Sequence, residues 1–148
     1  DRRIVLAAGN TVLACMLLEE SFPDYRAIIP DDLDHSLVFP REAMEEALKR
    51  LSVCVTKNLR HVVLLISPEG LLLRSGNEEG GACEDQVAVA WDGPEFSTAY
   101  NLDYLSDAVE SFHEEALRFQ FKDQFHGGVF TAVDGGKALD LVMPMIVS

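Results

Sequence analysis

The sequence predicts an α+β domain, two helices packed on antiparallel β-sheets, and three observations carry that prediction. From Ser36 onward the residue patterns run β-α-β-β-β-β-α-β-β-β, a strand meander with helices at two equivalent places. Leu117–Lys122 alternates strictly, with Leu117, Phe119 and Phe121 against Arg118, Gln120 and Lys122, the pattern of an antiparallel sheet wet on one face. Hydrophobic residues make up 48% of the 148, which supports a core of ordinary size. No apolar run reaches the length of a membrane span, and there is no signal-peptide pattern.

Two apolar runs open the chain, RIVLAA at 3–8 and TVLACMLL at 11–18. Gly9-Asn10 between them suits a two-residue hairpin turn, because both residues tolerate positive φ. A lone hairpin is marginal in water, so these strands are expected to belong with a sheet lying elsewhere. The first residue is Asp1, which suggests a piece of a longer protein. Ser21–Pro30, SFPDYRAIIP, follows. Pro23 and Pro30 fix φ and remove two donors. Phe22, Tyr25, Ile28 and Ile29 make this connector apolar, so it is expected to pack on something. Asp31, Asp32 and Asp34 close it with a short acidic loop.

Ser36–Phe39 is a short strand, and Pro40 suits the first turn of a helix. From Arg41, the residues Met44, Ala47, Leu48, Leu51 and Val55 recur at helical spacing, widened by Ala43 and Cys54. The opposite face carries Glu42, Glu46, Lys49, Arg50 and Val53. Acids open this helix and bases close it, which complements its dipole, and Glu45–Lys49 and Glu46–Arg50 are i,i+4 pairs. A surface facing a polyanion is the alternative reading of the same bases. Strands follow at Arg60–Ser67, Leu71–Arg74, Gln86–Trp91 and Glu95–Tyr100, with turns at Pro68-Glu69-Gly70 and Asp92-Gly93-Pro94 and a polar loop, NEEGG, at 77–81. Asn101 is an N-cap for a second helix with Leu102, Leu105, Val109 and Phe112 buried. After Leu117–Lys122 come Val129–Val133, a turn at Asp134-Gly135-Gly136-Lys137, and Ala138–Val142.

The net charge of -13 argues against a simple electrostatic grip on nucleic acid. Its distribution is uneven. Residues 41–60 hold five of the twelve basic residues against three acids, a window of +2 in an otherwise acidic chain. Cys15, Cys54 and Cys83 show no metal-ligand spacing and read as reduced, mostly buried thiols of a cytosolic protein. Asp134-Gly-Gly-Lys137 lacks the P-loop spacing. His35, His61, His113 and His126 are scattered, and nothing assembles a nucleophile, a base and oxyanion donors. The expectation is a protein that is not an enzyme, with no cofactor and no metal.

Three segments carry a family likeness. FPDYRAIIP at 22–30, YNLDYLSDAV at 100–109 and VMPM at 142–145 resemble, in order and spacing, the C-terminal third of the bacterial DNA sliding clamp, the β subunit of DNA polymerase III. FPREAMEEALKRLSVCVTKNLRHVVLLI at 39–66 is similar to that family's helix and following strand. The resemblance covers essentially the whole chain. It implies the DNA-clamp fold and a division into the last β-hairpin of the middle clamp domain (1–20), an interdomain linker (21–34) and the third, C-terminal clamp domain (35–148).

It also implies a cytoplasmic bacterial processivity factor. Such a clamp closes head to tail with a second subunit around duplex DNA. It docks DNA polymerases, the clamp loader and repair proteins through short peptides carrying a leucine and a phenylalanine. By the same resemblance Pro23 and Ile28 match the linker side of the peptide groove, Asn101 and Tyr104 its rim, and Leu141, Val142, Met143, Pro144 and Met145 its wall. Lys49, Arg50, Lys57 and Arg60 become candidates to face DNA. The alternative is a clamp-like interaction module that does not encircle DNA. The chain departs from the family pattern at Ala27, where a second basic residue is common, at Gly128, near a position where a small polar residue is common, and at its Ile146-Val147-Ser148 ending.

Overall fold

The computed structural model describes residues 2–56, 60–77 and 81–146. Its elements are β1 (Arg3–Ala8), β2 (Thr11–Met16), a 3-10 turn (Tyr25–Ile28), β3 (His35–Pro40), α1 (Arg41–Leu51), β4 (His61–Ser67), β5 (Gly70–Asn77), β6 (Gly81–Val87), β7 (Phe96–Asn101), α2 (Leu102–Glu110), β8 (Ala116–Phe121), β9 (Gly128–Ala132) and β10 (Leu139–Val142). The sheets are a β1-β2 hairpin and two four-stranded antiparallel sheets, β10-β9-β8-β3 and β6-β5-β4-β7. The chain therefore repeats itself. β3-α1-β4-β5-β6 and β7-α2-β8-β9-β10 are two units of one pattern, and each lends its first strand to the other's sheet. That exchange ties the halves into one body.

The core explains the exchange. Leu37 and Phe39 of β3 align with Phe119 and Leu117 of β8 across the antiparallel register. Their side chains are almost fully buried, as are Phe121 and Phe130. Phe119 stacks on Phe121 at 4.8 Å and on Phe130 at 4.7 Å between ring centroids, within the range where ring geometry adds to burial. Met44, Ala47, Leu48 and Leu51 of α1, with Leu102, Leu105, Ala108 and Val109 of α2, cover this core, and the two helices pack side by side. Their polar faces look outward, as helical periodicity requires.

Four sequence expectations shift in detail. Pro40 ends β3 as the N-cap of α1, with ψ 124, instead of entering the first turn. α1 stops at Leu51 with Ser52 as C-cap, so Val55 packs on the core from beyond the helix, while Val53 is exposed as its place opposite the stripe implied. β6 spans 81–87, so Ala88–Trp91 is not strand and the pairing begins inside the segment read as a polar loop. The reason is that two inward positions of β6, Cys83 and Asp85, meet Cys54 and Arg50. Its GACEDQV sequence lacks a hydrophobic run because only Cys83, Asp85 and Val87 turn inward. The middle of the NEEGG loop, residues 78–80, lies outside the described residues.

The cysteines overturn their reading more fully. Cys54, just past α1, and Cys83, on β6, are joined as a disulfide with Cα atoms 6.1 Å apart, and Cys15 on β2 is free and exposed. The connector also differs. Phe22, Tyr25 and Ile28 are 84%, 45% and 67% exposed, so most of SFPDYRAIIP stands clear of the described residues, and only Ile29 and Pro30 at its end are half-buried. β10 and β3 occupy opposite edges of one sheet, so the last strand does not run beside the strand that the connector enters. The acidic end of the connector is tied down instead by an ion pair between Asp32 and Lys122, just past β8.

Candidate functional site: a groove between the second helix and the chain end

Asn101 starts the site. Its side-chain oxygen accepts hydrogen bonds from the backbone N–H groups of Asp103 (2.9 Å) and Tyr104 (3.3 Å), the N-cap expected from sequence. The cap fixes where α2 begins, so Tyr104 projects one turn along from a set origin, 65% exposed. Ala108, one further turn along, is buried and small, which leaves a floor beneath Tyr104.

The opposite wall comes from β10 and the chain after it. Leu141 and Val142 pair with Val129 and Gly128 of β9. Beyond the strand, the Met145 N–H donates to the Ala99 carbonyl of β7 at 2.7 Å. The tail thus bridges from an edge of one sheet to an edge of the other, held at both ends. Between these walls lies an open groove of about 630 Å³, lined by Asn101, Tyr104, Asp107, Ala108, Asp140 and the run Leu141–Met145. Val142 is buried, whereas Met143 and Met145 are 60% and 40% exposed to the groove side and solvent. Methionines so placed adapt their shape to an apolar ligand.

Two glycines underlie this wall. A Cβ on Gly127 would lie 2.9 Å from Leu141 Cδ2 and 3.2 Å from Met143 Sδ. A Cβ on Gly128 would collide with the Phe119 ring and sit 2.5 Å from the Tyr100 hydroxyl oxygen. Gly127 lets the wall settle, and Gly128 lets the core close behind it. Burial pushes the Tyr100 hydroxyl up to about 12, so it stays neutral.

Asp107 and Asp140 give the groove two carboxylates, and among the described residues no Lys, Arg or His lines it. Asp140 accepts from the Ser111 hydroxyl at 2.5 Å. The last turn of α2 contains no base to offset its carbonyl end.

Of the residues proposed from sequence, Asn101, Tyr104, Leu141, Val142, Met143, Pro144 and Met145 come together here. Pro23 and Ile28 do not line the groove and stand in solvent. Asp107, Ala108, Asp140 and Gly127 were missed. Helical spacing from Tyr104 identifies the first two, since i+3 and i+4 share a face.

The basic candidates lie elsewhere, around the outer side of the two helices. Arg50 pairs with Asp85 (2.5 Å) and Glu46 (3.4 Å), and Arg60 with Asp103 (2.5 Å). Both guanidinium pKa values are raised, first by those hydrogen bonds. Lys49 is 72% exposed and 3.9 Å from Glu45. Lys57 is outside the described residues. The i,i+4 pairs expected along α1 are therefore present, and α2 adds Asp103, Asp107 and Glu110 without a base.

Two exchanged β-α-β-β-β units with an open groove between the second helix and the chain end define a domain of the DNA-clamp type. The chain belongs to the family of the DNA polymerase III beta subunit, C-terminal domain, whose model matches residues 26–146. It is 26% identical over 145 residues to the beta sliding clamp of Pseudomonas aeruginosa, covering 98% of this chain and 40% of that protein. Against the beta sliding clamp of Treponema pallidum it is 28% identical over 142 residues, covering 93% and 38%. The crystal structure of the DNA polymerase sliding clamp from P. aeruginosa superposes with a TM-score of 0.92 at 25% identity, over 99% of this chain and 40% of that one. A sliding clamp from Bartonella birtlesii gives 0.93 at 26% identity, over 99% and 42%. The chain thus spans about two fifths of the length of the clamps it matches.

Proposed function

We propose that this chain is the C-terminal part of a ring-forming sliding clamp, a non-catalytic processivity factor of a bacterial replicative polymerase in the cytoplasm. In that reading the full protein encircles duplex DNA, closes head to tail with a second subunit, and docks polymerase, clamp loader and repair proteins one at a time. The single observation that carries the docking role is the groove. It pairs a capped aromatic rim, Tyr104, with a methionine-bearing wall, Leu141–Met145, in the domain that matches the family. An extended peptide with a leucine and an aromatic anchor suits such a preformed cleft.

The division into hairpin (1–20), linker (21–34) and third domain (35–148) belongs to the same reading. Every described residue of β1 and β2 is exposed, including Ile4, Leu6, Val12 and Leu13, as expected of a hairpin whose own domain is elsewhere in the protein. Pro23 and Ile28 then face a groove wall that the preceding domain completes. A P. aeruginosa clamp solved with griselimycin bound shows that a relative takes a ligand.

The docking role is tested by titrating a labelled peptide with a Leu-Phe end against the full-length protein. Met143→Ala with Met145→Ala should weaken binding at least tenfold, about 1.4 kcal/mol. Unchanged affinity would refute the site.

A clamp-like module that does not encircle DNA is favoured by one observation. Arg50 and Arg60 already bond carboxylates, and the neighbouring α2 carries acids alone. A ring that holds DNA by topology tolerates such a surface. Retention on nicked circular DNA, lost when the circle is cut to a linear form, supports the ring; no retention supports the module. In the ring reading Lys49→Glu with Arg50→Glu impairs loading or sliding.

A further inference from the structure

The repeated units offer the same seam twice, between a helix and the outer edge strand of its unit, and the chain treats the two differently. Between α2 and β10 the seam is the groove. Between α1 and β6 it is closed by two cross-links side by side. Arg50, in the last turn of α1, and Cys54, in the turn that follows the helix, meet Asp85 and Cys83, two residues apart on one face of β6. The Arg50 Nε to Asp85 Oδ2 distance is 2.5 Å. The Cys54–Cys83 Cα separation of 6.1 Å lies within the span a disulfide bridges without backbone movement. Strand i,i+2 spacing places Asp85 and Cys83 on one face of β6, and the turn after α1, closed by the Cys54 N–H donating to the Leu51 carbonyl at 3.0 Å, brings Cys54 to that face beside Arg50.

We propose that Cys54 and Cys83 form a reversible thiol–disulfide site that staples edge strand β6 to the end of α1. The reactant class is a low-molecular-weight disulfide, such as glutathione disulfide, with a dithiol as the opposing reductant. One cysteine thiolate attacks a sulfur of the small disulfide, forms a mixed disulfide and expels one thiol. The second cysteine thiolate then attacks the protein-bound sulfur and expels the second thiol. The two cysteines lose two electrons and two protons, and the small disulfide becomes two thiols.

Both cysteines are half-buried and not sealed in the core, so the exchange needs no unfolding. Among the described residues β6 has only β5 as a strand partner. Reduction therefore leaves the outer edge of this sheet held to α1 by the Arg50–Asp85 pair and ordinary packing. The loop closed by the staple has a sequence separation of 29.

The test equilibrates the full-length protein in glutathione disulfide or in dithiothreitol, traps thiols under denaturing conditions, and maps peptides by mass spectrometry. Cys15, exposed and free, should be alkylated in both. Cys54 and Cys83 should be recovered as one cross-linked peptide from the first and as two alkylated peptides from the second. Loop-closure arithmetic puts the oxidised form about 10 °C higher in Tm, and hydrogen exchange in β6 should quicken on reduction. Cys54→Ser and Cys83→Ser should each remove the redox dependence of Tm. Full alkylation of Cys54 and Cys83 in glutathione disulfide, a cross-link to Cys15 instead, or a Tm indifferent to redox state would overturn the proposal. The peptide map on the unaltered protein decides the matter even if a serine variant folds poorly.

Discussion

Adjacent glycines at 127 and 128 ought to separate stability from docking. Each would gain the same methyl group in an alanine substitution. At Gly128 the added Cβ meets the Phe119 ring and comes within 2.5 Å of the Tyr100 hydroxyl oxygen. Phe119 is stacked between Phe121 and Phe130, and Tyr100 is buried, so none of these rings can turn aside without disturbing the others. Overpacking of this kind costs about 1–3 kcal/mol, a fall in Tm of roughly 2–12 °C for a chain of this size. At Gly127 the nearest atoms are the side-chain ends of Leu141 and Met143, at 2.9 Å and 3.2 Å. These can swing, but they swing within the groove wall. Gly127→Ala should keep stability to within about 1 kcal/mol and weaken peptide binding about fivefold or more. Thermal and urea melts, with peptide titration of both variants, measure the contrast. If Gly128→Ala melted with the parent while Gly127→Ala bound peptide normally, the account of how the wall is seated would be wrong.

Asn101→Ala removes an acceptor shared by two N–H groups and should cost about 1 kcal/mol in a urea melt, with weaker peptide binding because Tyr104 loses its fixed origin. Acid should destabilise the fold through identified groups. Asp32, Asp85 and Asp123 are held below the ordinary aspartate value, first by hydrogen bonds from Lys122, Arg50 and His126 respectively. Their folded pKa lies below the unfolded one, so their contribution is present above about pH 4 and is lost as pH falls through the folded values. Tm should drop below about pH 4, and Asp85→Asn should flatten part of that drop. The groove is lined by Asp107 and Asp140 without a base, so at low salt a Leu-Phe peptide flanked by lysine should bind more tightly than one flanked by glutamate. Added salt should shrink the difference.

The element order was legible in the sequence because each element carries a period. α1 and α2 show helical stripes, β8 alternates, and Asn101 caps where a capping residue was expected. β6 was misplaced because its inward positions are Cys83, Asp85 and Val87, two of them partnered by Cys54 and Arg50, so they carry no hydrophobic run. The disulfide was illegible because cysteine spacing along the chain says nothing about a helix end lying over an edge strand. The groove wall was legible only through family likeness. VMPM has no periodicity, and its placement depends on one backbone bond, from Met145 to Ala99, between residues far apart in sequence. The exposure of Pro23 and Ile28 follows from what they pack against: nothing in the described residues covers them.

The doubling of the fold makes the site easier to account for than its residues do singly. A helix laid over an edge strand leaves a cleft wherever side chains between them are short or the strand ends early. In the first unit α1 runs through Leu51, and its last turn and the turn beyond it reach β6 with Arg50 and Cys54, which bond across the cleft. In the second unit α2 stops at Glu110, Ala108 contributes only a methyl group, and β10 ends at Val142. The chain then leaves the strand as Met143-Pro144-Met145, and Pro144 has no N–H to continue a ladder. The tail crosses instead to Ala99, and the uncovered space beside α2 is the groove. The groove therefore arises where one copy of a repeated unit omits the cross-links that close the other. Tyr104 and the methionines define the groove's lining; the shorter helix and the early end of β10 create its volume.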